Sequence, residues 1–288
     1  MGMFSKSPAE QKLEDLTGGF LLSDEYKAIL RANNIEYSVG EHIKNQLKEE
    51  IKLNIVSEEG LETRLRYLIK QNSKKNPSST QTPEVETQKE TVNAISDEVN
   101  AYPDLFTGFG TLHPDSDDIE GDFNHLLDLG LKGVKLHPDF QLFALNEQRA
   151  FDLGEVINEG DVPLLIHCGD FRYNYSNPEQ LIPFLDKFPE LTVIGAHFAG
   201  WSMWEDATRQ LAGRENLYVD LSSSLYALSS QTAKELIHAY GPDKVLWGTD
   251  YPMWDSVSEM EYFDKIDLTD KERSMILYEN AAKLLNLE

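Results

Sequence analysis

Two hydrophobic rhythms divide the chain. Up to about residue 70 the apolar positions follow a helical period: Val39, Ile43, Leu47 and Ile51 step by four, as do Leu61, Leu65 and Ile69, with Leu68 alongside. Ser23-Asp24-Glu25 and Ser57-Glu58-Glu59 precede apolar stretches as N-caps with acidic first turns, which suit the positive end of a helix dipole. The spacing predicts a small all-α module over residues 1–72, whose His42 and Lys/Glu faces are solvated and whose surface is open to a protein partner. The stretch QNSKKNPSSTQTP, residues 71–83, has no aliphatic or aromatic side chain to offset the entropy of ordering. A linker is therefore expected over 73–83, and a second domain over 84–288.

Beyond residue 100 short apolar, β-branched runs begin near Leu105, Lys132, Val162, Leu191, Asn216 and Lys244, at intervals of 25 to 30 residues. Polar loops follow them, and amphipathic stretches lie between them at 119–129, 151–157, 181–188 and 236–240. Strand then helix at a steady period is the βα unit. Parallel strands covered on both faces read as unbroken apolar runs, as VPLLIH and LTVIGAH do. Six such units make a parallel α/β domain, closed by a helix over 271–287 with no strand after it.

Composition narrows the function classes. The chain carries 26 basic and 50 acidic side chains, a formal charge of −24, and residues 1–83 hold 12 of each, so the whole excess falls on 84–288. Such a charge repels a phosphate backbone and argues against nucleic acid as partner. A single cysteine, Cys168, rules out a disulfide within the chain; it reads as a small buried hydrophobe. No apolar run approaches the ~20 residues needed to cross a bilayer, and residues 1–10 lack the apolar stretch of a leader peptide. The expectation is a cytoplasmic protein that acts on a small molecule away from membranes.

The chemistry-bearing residues cluster at the carboxyl ends of the apolar runs: His113 after FGTL, Lys135 and His137 in GVKLHP, His167 in LLIHCG, His197 in VIGAHFAG, Asp220 in LYVDLSSS and Asp250 in LWGTDYP. In a (β/α)-barrel those ends meet on one face, where the active site lies. Imidazoles and a carboxylate converging there form the ligand set of a divalent metal, with zinc expected and manganese the alternative. Such a metal activates water and polarises a carbonyl, so metal-assisted hydrolysis is the leading expectation. His167 is expected as a ligand, Asp250 as ligand or base, and His197 as the group holding or deprotonating the water. Lys135 is expected to support a carboxylate or oxyanion. His113 and His137 each precede Pro, where fixing a loop and touching substrate are equally open. Trp201, Trp204, Tyr251 and Trp254 follow strand ends and read either as walls of a pocket for an aromatic or heterocyclic acid or as plain core. His125 and His238 read as helix-surface residues; Asp139, Asp170 and the acidic run 115–122 read as solvated loops and caps.

The motifs GFGTLHPD, GLKGVKLHPDFQ, PLLIHCG, FPELTVIGAHFAGW, NLYVDLSSS, DKVLWGTDYP and ENAAKLLNL together resemble the amidohydrolase-related (amidohydrolase-2) family, over about residues 84–288. That resemblance implies a metal-dependent TIM-type (β/α)-barrel whose members are hydrolases or nonoxidative decarboxylases. It implies that His167 and Asp250 are metal ligands and that His197 is the catalytic histidine, while the residues themselves offer Asp250 as a second catalytic group and Lys135, His137, Trp201 and Tyr251 as those facing the substrate. The family's first strand ends in His-x-His, which supplies two more ligands, and this chain contains no such pair; Ser38 and Gly40 stand in the nearest matching text. The chain is thus expected to be a barrel lacking its first two strands, preceded by the all-α module. An open barrel exposes two sheet edges unless another segment, or another copy in a homo-oligomer, covers them. A catalytically inactive binding scaffold is the rival to both enzymatic readings.

Overall fold

The structure, a computed structural model, describes residues 85–287 together with Leu47. The expected helices of residues 1–72, the linker and the Ser38/Gly40 text otherwise lie outside the described residues; Leu47 itself is helical and fully buried. The chain forms two compact units: a larger one of residues 82–224, 230–248 and 264–288, and a smaller one that includes 225–229 and 249–263.

The larger unit is built on a parallel sheet, β1 (Val134–Leu136), β2 (Leu164–Ile166), β3 (Val193–Gly195), β4 (Leu217–Asp220) and β5 (Val245–Leu246), in the order β1-β2-β3-β4-β5. Val134 pairs with Leu164, Leu164 with Val193, Val193 with Leu217, and Val219 with Val245. Each strand starts one or two residues after the apolar run that predicted it. The run near Leu105 is the exception. The amides of Leu105 and Phe106 bond back to the carbonyl of Tyr102, and both side chains are exposed, so that run is a turn. Its place beside β1 is taken five residues later, where Gly110 makes a single parallel bridge to Val134.

Helices alternate with the strands as expected: α2 (Ile119–Asp128), the single-turn α3 (Pro138–Gln141), α4 (Gln148–Glu159), α5 (Pro178–Lys187), α6 (Trp204–Leu211) and α7 (Ser230–Tyr240). A preceding helix, α1 (Val85–Ala101), was not anticipated; it buries Val92 and Ser96, and Val99 lies so near Gly108 that a β-carbon on that glycine would meet it at 2.7 Å. The predicted C-terminal helix is present as α9 (Asp270–Ser274), a π-helical turn over Met275–Glu279, and α10 (Asn280–Leu285). This segment covers the β5 edge. The Trp247 amide donates to Ile276 O at 2.9 Å, and Asn280 Nδ2 donates to Val245 O at 2.7 Å. With Gly110 on the β1 side, both edges carry cover from within the chain.

Because all five strands are parallel, His137, His167, His197 and Asp220 emerge at one end of the sheet. In the smaller unit, α8 (Ser256–Asp264) is capped by Asp255, whose carboxylate accepts the Val257 and Ser258 amides. There Tyr226 stacks on Trp254 with ring centroids 4.2 Å apart.

Candidate metal centre at the carboxyl ends of the strands

His137 directly follows β1 and is held by its backbone. Its amide donates to Gln141 Oε1 at 2.8 Å, Gln141 Nε2 donates to Leu112 O at 2.6 Å, and the α3 amides of Phe140 and Gln141 return to His137 O. Pro138 at the first helical position gives up an amide the helix does not need. The His137 ring is sandwiched, 3.8 Å from Phe140 and 3.9 Å from His167, with interplanar angles of 4° and 9°. Its Nδ1 is buried without a hydrogen-bond partner.

The same turn buries Asp139, correcting the expectation of a solvated loop. One carboxylate oxygen accepts the Ser176 hydroxyl at 2.9 Å and lies 3.6 Å from His167 Nε2; the other is buried without a partner. Burial pushes its pKa up to about 7, with the nearby Asp170 adding to the shift and Ser176 and Arg172 opposing it. Asp170 is likewise buried, where it clamps Arg172 at 2.5 Å, and so is Asp122, which pairs with Lys89 at 2.8 Å. These polar side chains escape solvent because each finds a donor.

His167, next after β2, donates its backbone amide to Leu136 O at 3.0 Å. Its Nδ1 lies 3.0 Å from His197 Nε2, and His197 Nδ1 faces Ser222 O at 2.8 Å and Ser222 Oγ at 3.0 Å. His197, expected as the catalytic histidine, is therefore buried with both ring nitrogens engaged by protein groups. It is aimed by an unusual backbone. His197, Phe198 and Ala199 have φ of 63°, 54° and 55°, three consecutive non-glycine residues in a region that costs roughly 1–2 kcal/mol per residue. The turn folds onto its own strand so closely that a β-carbon on Gly195 would sit 2.5 Å from that of Ala199. Phe198 N donates to Asp220 O at 2.8 Å, and Phe198 O accepts the buried Tyr240 hydroxyl at 2.9 Å.

Donor atoms of His137, Asp139 and His167 all lie within 4.8 Å of one another. Burial holds both imidazoles well below the usual histidine pKa; the charge of Lys135 adds to this, as do His197 and, for His167, His137. They are neutral at pH 7 and keep lone pairs for coordination. Two neutral imidazoles, a carboxyl group and two orphaned buried atoms fit a divalent cation, which would compensate the unpaired oxygen and favour the ionised carboxylate. The rings are parallel, so their in-plane lone pairs meet at one ion only after one ring turns.

The other expected site residues are distributed as follows. Lys135, on β1, lies close enough to act electrostatically on His137, His167 and Cys168. Trp201 is buried, its amide on Cys168 O at 2.7 Å, with the Arg172 guanidinium 5.2 Å above its ring. Asp250 and Tyr251 belong to the smaller unit, and the three-residue cluster stands without them. His113 is buried and fixes its loop by accepting the Asp115 amide on Nδ1. Cys168 is buried, its thiol pKa pushed up by burial. His238 is on the surface, paired with Glu272. Sequence reasoning missed Asp139, Ser176 and Ser222 as site residues. The spacing His137-Pro138-Asp139 was the available signal, because a single helical turn begun at Pro138 carries Asp139 back toward the strand ends.

Comparison with known proteins agrees with this architecture. The family described as Amidohydrolase matches residues 76–287, while no curated protein matches the chain. An uncharacterised TIM-barrel protein from Bordetella bronchiseptica superposes with a TM-score of 0.61 at 25% identity, over 68% of this chain and 72% of that one. A 2,6-dihydroxybenzoate decarboxylase from Rhizobium matches at a TM-score of 0.57 and 19% identity, covering 70% and 77%. A dihydroxybenzoic acid decarboxylase from Polaromonas, with bound manganese and 2-nitroresorcinol, matches at 0.57 and 17%, covering 70% and 75%. With a family match across most of its length and the parallel barrel-type sheet in place, this chain belongs to the amidohydrolase family.

Proposed function

We propose that the chain is a divalent-metal-dependent nonoxidative decarboxylase of a small hydroxyaromatic carboxylic acid, with manganese the favoured ion. The observation that carries this reading is the buried cluster of His137, Asp139 and His167, whose donor atoms lie within 4.8 Å of one another. The substrate class and the ion are drawn from the dihydroxybenzoate decarboxylases that share the fold, one of which holds manganese. His137, Asp139 and His167 would hold the cation, which when bound supplies a positive charge to polarise carboxylate and hydroxyl oxygens. Lys135 would hold the carboxylate that departs as CO2. In the reaction the ring carbon keeps the electron pair of the broken bond and takes up a proton from water. His197 would act on His167, holding its ring in place.

This assignment gives the missing His-x-His pair a substitute, since His137 and Asp139 come from the loop after β1. Hydrolysis, the expectation drawn from the residues alone, would use the same cation and the same Lys135. The discriminating experiment is to load the full chain with Mn2+ and assay a panel of dihydroxybenzoic acids for CO2 release beside a panel of lactones and esters. CO2 release that is abolished by Asp139→Asn supports the decarboxylase, turnover of lactones or esters alone supports the hydrolase, and absence of both turnover and metal binding supports the scaffold.

A further inference from the structure

We propose that Asp220 is a positioning residue that sets the ring tautomers of His197 and His167, leaving the Nε2 lone pair of His167 bare toward Asp139 and His137. The inference deepens the proposed function, because it concerns the same cluster, and it is read on the metal-free protein.

Asp220 is the last residue of β4, and it ties two strand ends together. Its backbone oxygen accepts Phe198 N–H at 2.8 Å. Its Oδ1 accepts His197 N–H at 3.0 Å, Ser222 N–H at 2.9 Å and the Ser222 hydroxyl at 2.5 Å. The left-handed turn after β3 is thereby clipped to the chain after β4 by one side chain. Asp220 Oδ1 accepts in all three bonds, so the Ser222 hydroxyl proton is committed to it. What Ser222 then turns toward His197 Nδ1 is two acceptors, the carbonyl at 2.8 Å and the hydroxyl oxygen at 3.0 Å.

A ring nitrogen facing two acceptors must carry its hydrogen. A neutral imidazole has one such hydrogen, so His197 Nε2 is bare and accepts the Nδ1–H of His167 across 3.0 Å. The same exclusion leaves His167 Nε2 without a hydrogen. The Asp139 oxygen 3.6 Å away is beyond hydrogen-bond reach, so that lone pair is ready for a cation without first losing a proton. The Ser222 carbonyl and hydroxyl oxygens together hold the hydrogen on His197 Nδ1, and Asp220 keeps the hydroxyl proton turned away from that ring.

The test uses the metal-free full-length chain with ring-15N histidine at about pH 8, where histidine of ordinary pKa is neutral. Long-range 1H–15N spectra, assigned with His167→Gln and His197→Gln, should show a pyrrole-like Nδ1 and a pyridine-like Nε2 in both rings. A pyridine-like Nδ1 in either ring overturns the proposal. Asp220→Ala should bring both tautomers of His197 into exchange and weaken Mn2+ binding about tenfold by calorimetry. Asp220→Asn, whose side-chain oxygen still accepts, should keep the wild-type ring pattern. Wild-type tautomers retained in Asp220→Ala also overturn it, and should that variant not fold, the wild-type and Asn spectra decide alone. If the tautomers are as stated but Mn2+ does not bind the wild type, the metal reading fails and the positioning role stands.

Discussion

Asp139 in the larger unit and Glu259 in the smaller are both buried carboxyl groups pushed up to about 7, and burial is the main cause in each. Their neighbours differ. Asp139 has a hydroxyl donor on one oxygen and two neutral imidazoles within 4.8 Å. Glu259 is fully buried with neither oxygen hydrogen bonded, and its charge is further opposed by Asp255 and Asp250. A raised carboxyl pKa alone therefore does not mark a site. What marks one is the ligand set around it, which a cation can complete at Asp139.

The largest effect should come from removing the ligand itself. Asp139→Asn is expected to weaken Mn2+ binding about 100-fold or more, since even outer-shell partners of ligands are worth 10–100-fold. Glu259→Gln should leave that affinity unchanged. Isothermal titration of both variants checks the pair, and equal losses would erase the distinction drawn here.

Next in size is a stability effect confined to Glu259. Its folded pKa, about 7, lies above the 4.5 of an unperturbed glutamate, so the folded state holds the proton more tightly than the unfolded one. This contribution is fully present below about pH 4.5, is lost as pH rises toward 7, and stays lost above. Glu259→Gln removes the ionisation and should raise stability at pH 8 relative to pH 4 by roughly 3 kcal/mol. Urea melts at the two pH values measure it. An unchanged difference would mean that the carboxylate finds a partner when ionised.

Smaller effects should trace the support around the metal cluster. Ser176→Ala removes the hydroxyl that orients Asp139 and should cost about tenfold in Mn2+ affinity. Phe140→Ala removes the exposed ring stacked on His137, worth about threefold to tenfold by the usual strength of ring pairs. The same calorimetry reads both, and a loss for Phe140→Ala exceeding that for Asp139→Asn would show that stacking, not ligation, governs the site.

Much of this was legible in the sequence, for identifiable reasons. Strands at Val134, Leu164, Val193, Leu217 and Val245 begin within two residues of the apolar runs that announced them, because strands covered on both faces are mostly apolar, Lys135 on β1 and Asp220 at the end of β4 being the charged exceptions. The same logic overreached at Leu105, where an apolar pair is spent on an exposed turn and the pairing with β1 comes later in the run, at Gly108 and Gly110. Helix α1 went unseen because its apolar positions are sparse among polar ones. At the site, His137, His167 and His197 were placed by their strand ends, but Asp139 was given to solvent on residue type. The Pro138 that starts the α3 turn was the sequence signal for its placement, while the distant Ser176 that donates to it carries none. The hydrogen chain through Ser222 was equally hidden, since it depends on a backbone carbonyl that carries no sequence signal.

The central claim is that His137, Asp139 and His167 form one cation site. Anomalous diffraction at the manganese edge, from crystals of the full chain equilibrated with Mn2+, tests it most directly. One peak is expected within coordinating distance of His137, Asp139 and His167. A peak that contacts none of the three, or no peak at saturating manganese, would contradict it.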